Sequence, residues 1–275
     1  MFKKKKINNS LGIVITGGSY GLGYAFAAGF LSAGDRVVIC GRNLQRLEDA
    51  LHSLRMAVPD GEVYGIQCDI GNPSHGKTLA AFAVSRLGRV DRWINNAGTA
   101  GQLKQPLWKL HLDDIHETCT TNLSGTIMMC AEAVRVMADQ PSSTEPRYHI
   151  LNMGFSSAGA AFSRSAVPHK ASKRAVTELT HFLSGELKAA GIKSIGVHEL
   201  SPGLVLTGLL LQDASEEAKR FIHLIAETPE TVASVLVPKI RFITGRHTRI
   251  RYQPLTRMFL NIIIKIPQIV SKQVH

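Results

Sequence analysis

An α/β fold built on a doubly wound, open parallel sheet is predicted by three features of this 275-residue sequence. Short β-branched apolar runs alternate with longer helical segments. A glycine-rich turn joins the first run to the first helix. Hydrophobic residues reach 44% against 19% charged, enough for a large core and too many for general disorder. Strand–helix alternation of this kind implies parallel strands joined by right-handed crossovers.

Leu11 to Ile15 is an apolar run ended by Thr16-Gly17-Gly18, which reads as a buried strand. Leu22 to Ala33 is helical in composition and stops at Gly34. Arg36 to Cys40 is a second strand. Leu44 to Ala57 places Leu44, Leu47, Leu51 and Leu54 at helical spacing before Pro59. Glu62 to Gln67, Asp91 to Asn95, His149 to Asn152 and Lys193 to Glu199 complete six strands. Helices are expected over 73–87, 112–118, 120–139 and 169–190. No repeat and no second-domain linker is visible, so one domain is expected over 11–254, between a basic tail (1–10) and a basic, apolar segment (255–275).

The net charge of +11 is unevenly placed. Lys3 to Lys6 supply four positive charges, and the acid-free stretch after Glu230 supplies eight. The body, residues 7–230, holds 20 basic and 21 acidic side chains. A near-neutral body argues against a nucleic-acid coat. Cys40, Cys68, Cys119 and Cys130 form no CxxC pair and no zinc-like spacing, so a reducing compartment and no metal are expected. No apolar run is long enough to span a bilayer, and the lysine run lacks the apolar stretch of a secretory signal.

Thr16 to Gly23 reads TGGSYGLG between the first strand and first helix. Gly17, Gly21 and Gly23 permit a tight turn and close backbone approach to a pyrophosphate. The helix N-terminus supplies open N–H groups and positive potential. Ser19, Tyr20 and Leu22 share that turn. In this context the turn predicts dinucleotide binding on a Rossmann-type sheet. The second strand ends in Gly41-Arg42, where an NAD enzyme usually carries an acid. Arg42 either accepts a 2′-phosphate, favouring NADP, or is simply solvated. Asp69 either meets the adenine amino group or caps the helix at Pro73.

With Asn95-Asn96-Ala97-Gly98 added, the chain resembles the short-chain dehydrogenase/reductase family. Asn122, Ser156, Lys173 and Pro202-Gly203-Leu204-Val205-Leu206-Thr207 follow in the family's order. The resemblance implies that Asn95, Asn96, Ala97 and Gly98 shape the cofactor cleft and stabilise the central sheet, and that Asn122 holds a relay water. It implies that Ser156 orients a carbonyl, that Lys173 binds the nicotinamide ribose, and that Pro202, Gly203 and Thr207 lie beside the nicotinamide. Within the family the sequence is most similar to the chlorophyll b reductase group. The matches include Trp93 to Thr99, Thr121 to Gly125, Leu200 to Leu211, and Glu227 to Ala233 with Leu236-Val237-Pro238. That similarity implies NADPH-dependent reduction of the chlorophyll b formyl group to hydroxymethyl. It also implies a chloroplast or cyanobacterial setting with peripheral thylakoid contact, and a homo-oligomer or a complex with a related reductase.

One position breaks the family pattern. The YxxxK tyrosine is replaced by His169, four residues before Lys173 and on the same helical face. Aldehyde reduction needs a proton for the forming alkoxide. Lys173, which would stabilise a phenolate, pushes an imidazole toward its neutral form. Neutral imidazole still donates a hydrogen bond to a carbonyl. Three readings remain: a working substitute with an acid-shifted profile, a catalytically weak cofactor-binding relative, or an altered position in an intact site. Another apolar carbonyl substrate, such as a steroid, retinoid or acyl chain, is the alternative to chlorophyll b. Leu204 to Leu211 and Phe221 to Ile225 either cover a flat apolar ligand or pack as core. Residues 255–275 either lie on an anionic membrane surface or pack against protein.

Overall fold

The computed structural model describes residues 10–155, 165–211, 219, 222–223 and 226–252. The apolar runs form seven strands: β1 (Gly12–Thr16), β2 (Arg36–Gly41), β3 (Val63–Gln67), β4 (Arg92–Asn95), β5 (Tyr148–Met153), β6 (Ile195–Ser201) and β7 (Arg249–Arg251). They lie in one sheet in the order β3-β2-β1-β4-β5-β6-β7, with every pairing parallel. The helices are α1 (Gly21–Ser32), α2 (Leu44–Ala57), α3 (Pro73–Leu87), α4 (Leu112–Cys119), α5 (Thr126–Ala138), α6 (Val167–Ala189), α7 (Gly208–Leu211) and α8 (Pro229–Arg241). Among the described residues no helix is long and apolar enough to cross a membrane.

Alternation along the strands feeds two cores. Ile13, Ile15, Val37 and Ile39 face α1, α2 and α8, while Val14, Val38 and Trp93 face α3 and α5. All four cysteines are free thiols, three of them buried.

Six strands match expectation within a residue or two. The seventh was not expected, because Arg249-Ile250-Arg251 offers one buried apolar residue between two charges. Helix α8 was also not expected, because Pro238 interrupts it. Its start is nevertheless well specified: Thr228 Oγ1 accepts from Thr231 N at 3.2 Å and Pro229 opens the first turn. The helix expected over 120–139 begins instead as a π-helical turn, Thr120–Gly125, continuous with α4.

α8 packs on α1 through Gly29, where a Cβ would lie 3.0 Å from Val237 Cγ2. Its C-terminal carbonyls are capped by Arg92, buried on β4. The guanidinium donates to Ile240 O at 2.9 Å, Arg241 O at 2.8 Å and Arg147 O at 3.0 Å. Burial lowers the Arg92 pKa to about 10. Arg241 in turn donates twice to Asp35, at 2.8 and 3.1 Å, and Asp35 also accepts from Leu11 N at 3.0 Å. Burial pushes the Asp35 carboxyl up, against the pull of these partners.

A second polar chain crosses β5 and β6. His149 Nδ1 lies 2.9 Å from His198 Nε2, and Thr248 N donates to His198 Nδ1 at 3.2 Å. His198 therefore carries its proton on Nε2 and donates to His149. Gly196 makes room, since a Cβ there would sit 2.7 Å from His198 Nε2. Burial drives His149 down to about 2 and His198 to about 3.

Two outcomes follow from these networks. Arg241→Ala strands a buried carboxylate and should cost about 3 kcal/mol in urea unfolding, with partial recovery on adding Asp35→Asn. Unchanged stability in Arg241→Ala would refute that assignment. For the histidine chain, the unfolded imidazoles take up protons near pH 6.5, while the folded ones resist until about 2 to 3. Below pH 6.5 the unfolded state binds more protons, so stability falls with pH. The urea midpoint should decline from pH 6.5 to 4, less steeply in His198→Gln.

Candidate active site

Strand order reverses between β1 and β4, and the carboxyl ends of the two strands part there to form a crevice. Thr16 ties the two ends together. Its Oγ1 accepts from Asn96 N and Ala97 N, each at 3.1 Å. Asn96 Nδ2 donates back to Thr16 O at 3.0 Å and Gly17 O at 3.1 Å. The glycine turn leaves this clamp with Gly17 at φ 63° and Gly21 at φ 57°, both left-handed. A Cβ on Gly23 would lie 2.2 Å from Gly17 O, and one on Gly17 2.9 Å from Ala97 Cα.

No side chain caps α1, whose N-cap is Tyr20, so its first amides stay open to an anion. Ser19 Oγ fits because position 41 is glycine: a Cβ on Gly41 would stand 2.8 Å from it. Tyr20 is exposed, with the Arg46 guanidinium 5.8 Å from its ring. Leu22 points into the core, so only its backbone borders the turn. After β6 the loop carrying Pro202 and Gly203 (φ 78°) brings Thr207 over the turn, with Thr207 Cγ2 3.3 Å from a Cβ built on Gly21. The turn thus fits a dinucleotide pyrophosphate closely.

Beyond β2 and β3 an open groove of about 590 Å³ is lined by Arg42, Asp69, His116 and Glu117, among others. Arg42 is ion-paired with Glu117 at 2.8 Å and is half exposed. Asp69 is not the cap of α3. Asn72 takes that role, accepting from Ser74 N at 3.0 Å, because it sits directly before Pro73. Asp69 Oδ1 instead accepts from Gly71 N at 2.9 Å and stays on the groove wall.

Asn95 lies inside the sheet rather than in the crevice. It donates to Asn152 Oδ1 at 2.8 Å and accepts from Trp93 Nε1 at 3.0 Å. Gly98 faces the site: a Cβ there would be 3.0 Å from both Asn122 Oδ1 and Lys173 Nζ. Asn122, in the π-helical turn, accepts from Thr99 N at 2.8 Å and donates to Thr99 O at 2.9 Å and Ser172 Oγ at 3.1 Å. Ser172 Oγ donates to His169 O at 3.1 Å. This run fixes the first turn of α6 against the loop after β4. Sequence reasoning passed over Ser172 and Glu117, and gave Thr16, Asn96 and Thr99 only as members of motifs, without the contacts they make. Ser172 and Glu117 carried no motif signal.

His169 and Lys173 sit one turn apart on α6 and are both buried. Burial, then the charges of Lys173 and Lys104, lowers His169 to about 4. Burial alone lowers Lys173 to about 8. His169 Nδ1 is buried with no hydrogen-bond partner among the described residues. Its ring lies 5.2 Å from that of Phe155. Ser156 lies outside the described residues, as do the 1–9 tail, residues 255–275 and part of the 204–225 cover.

Comparison with known proteins places this geometry. The short chain dehydrogenase pattern matches residues 12–218. The chloroplastic chlorophyll(ide) b reductase NOL of Oryza sativa subsp. japonica is 40% identical over 233 residues, covering 84% of this chain and 66% of that protein. Its counterpart in Arabidopsis thaliana is 37% identical over 270 residues, covering 96% of this chain and 76% of that one. A solved metagenomic short-chain oxidoreductase in complex with NADP superposes with a TM-score of 0.68 at 22% identity, over 90% of this chain and 99% of that one. That likeness shows the fold. With the pattern running through the glycine turn, the Asn96 clamp and Lys173, the chain belongs to the short chain dehydrogenase family of NAD(P)H-dependent oxidoreductases acting on carbonyl groups.

Proposed function

We propose that this chain reduces the formyl group of a chlorophyll b-type pigment to hydroxymethyl, using NADPH. The observation that carries the reading is the extent of the similarity. The Arabidopsis relative aligns over 270 residues, well past the family's shared 12–218. The added stretch includes Glu227–Ala233, which anchors the cleft's cover. Leu206 N donates to Glu227 O at 2.8 Å and Glu227 N to Leu204 O at 3.0 Å, at the stem of α8. The chloroplastic setting of these relatives supports the same location for this chain. In this reading Ser156 is a further carbonyl ligand.

NADPH supplies the hydride when bound. The chain's residues supply position and the proton. Gly17, Ser19, Gly21, Gly23 and the open start of α1 hold the pyrophosphate, with Ala97, Gly98, Pro202, Gly203 and Thr207 shaping the nicotinamide end. Arg42 takes the 2′-phosphate, exchanging its exposed ion pair with Glu117, which costs about 1 kcal/mol or less. Asp69 faces the adenine.

His169 is neutral at physiological pH, so it serves as a hydrogen-bond donor that polarises the carbonyl, not as an imidazolium acid. Lys173, titrating near 8, is the neighbouring group that still holds an ionisable proton at neutral pH. Lys173, one turn along the same helix, is therefore the source from which the alkoxide's proton is restored. Asn122 positions both through Thr99 and Ser172. On this reading the rate is lost with the Lys173 proton as pH rises.

Incubation with NADPH and chlorophyll b or chlorophyllide b, followed by absorbance and chromatography, should yield the hydroxymethyl product. No product with intact NADPH binding would overturn the reading. The rate should fall as pH rises through about 8 and show no limb near 6.5. His169→Tyr should raise the neutral-pH rate by about tenfold or more, since a phenol beside an ammonium is the stronger acid catalyst. Arg42→Ala should raise the Kd for NADPH by about tenfold and leave NADH nearly unchanged.

A further inference from the structure

The segment between β4 and α4 leaves one apolar surface uncovered. Leu103 (38% exposed), Leu107 (42%), Trp108 (83%) and Leu112 (81%) fall within ten residues. A single exposed leucine is ordinary, but such a cluster marks an interaction surface. The same stretch is basic. No acid occurs between Asp91 and Asp113, while Lys104 and Lys109 fall inside it and Lys109 is exposed.

The segment also forms the rim of the site. It begins at Thr99, held by Asn122. Lys104 Nζ donates to Leu210 O on α7 at 3.3 Å, and its charge reaches His169. The exposed apolar residues therefore border the entrance to the reacting centre.

We propose that residues 103–112 dock on an anionic lipid surface and open the cleft toward an apolar substrate dissolved in that lipid. Trp108 and Leu112 enter the headgroup region, where an indole keeps its N–H wet and its ring dry. Lys109 meets lipid phosphate. The substrate half rests on the pigment reading above; the lipid contact does not. A second copy of this chain fits the surface less well, because a two-fold contact centred on Trp108 would bring Lys109 of both copies together.

The chain carries its own probe. It has two tryptophans, Trp93 fully buried and Trp108 exposed, so a vesicle-induced emission change reports Trp108. The full chain is titrated with phosphatidylglycerol/phosphatidylcholine vesicles and with phosphatidylcholine alone. The expected result is a blue shift and co-sedimentation with the anionic vesicles, weaker with the neutral ones. Trp108→Ser/Leu112→Ser should lose about tenfold or more of the vesicle affinity, with an unchanged melting temperature and near-unchanged reduction of detergent-dispersed pigment. Vesicle binding that survives the double change overturns the proposal. So does binding abolished by Arg257→Glu/Lys265→Glu alone. A dimer that dissociates in the double variant, without loss of vesicle binding, assigns the surface to a second copy and also overturns it. Vesicle binding through Trp108 in a chain that reduces no pigment upholds this inference and sinks only the proposed substrate.

Discussion

The clamp between Thr16 and Asn96 is the interaction on which the site depends. A parallel sheet whose strand order reverses must open between the two diverging strands, and the backbone there loses its ladder partners. One hydroxyl accepts two amides from the end of β4, and one carboxamide returns to two carbonyls at the end of β1. The opening stays polar-satisfied and fixed in width. Everything downstream takes its position from it. Gly17 reaches its left-handed turn against Ala97, Gly23 closes on Gly17 O, and Gly98 lies beside Asn122 and Lys173. The crevice thus follows from satisfying a topological defect.

Burial then decides the chemistry inside the crevice. A lysine and a histidine one turn apart, both desolvated, cannot both carry charge at low cost. The lysine, with the higher intrinsic basicity, keeps its proton at neutral pH, and the histidine remains neutral. The same rule governs the distant His149–His198 pair, where hydrogen bonds to each other and to the backbone replace ionisation. What distinguishes His169 is that its Nδ1 lacks a partner among the described residues.

The fold was legible because the core strands are nearly uninterrupted apolar runs and the glycine turn admits few alternatives. The π-helical turn at 120–125, β7 and α8 were not, because their cause lies elsewhere in the chain. α8 is fixed by Arg92 and by Gly29 on α1, more than 130 residues upstream in both cases. The site was legible where a residue type is demanded by geometry, as at Gly17, Gly21, Gly23 and Lys173. It was hidden where a common side chain acts through a contact distant in sequence, as with Thr16, Ser172 and Glu117. Asp69 and Asn72 show the finer failure: both are plausible caps three residues apart, and only the chain's path separates them.

The short parallel bridge between Val205 and Glu227 has a wider reach. It pins together the two stems of the cover that follows β6, so the segment between them forms a closed loop hung from the sheet and α8. Lengthening such a loop costs little: each doubling adds about 0.6 kcal/mol of closure entropy. The segment between the stems can therefore change in length and composition while the glycine-turn half of the crevice stays fixed. A single inherited frame can in this way be refitted to substrates of very different size without refolding.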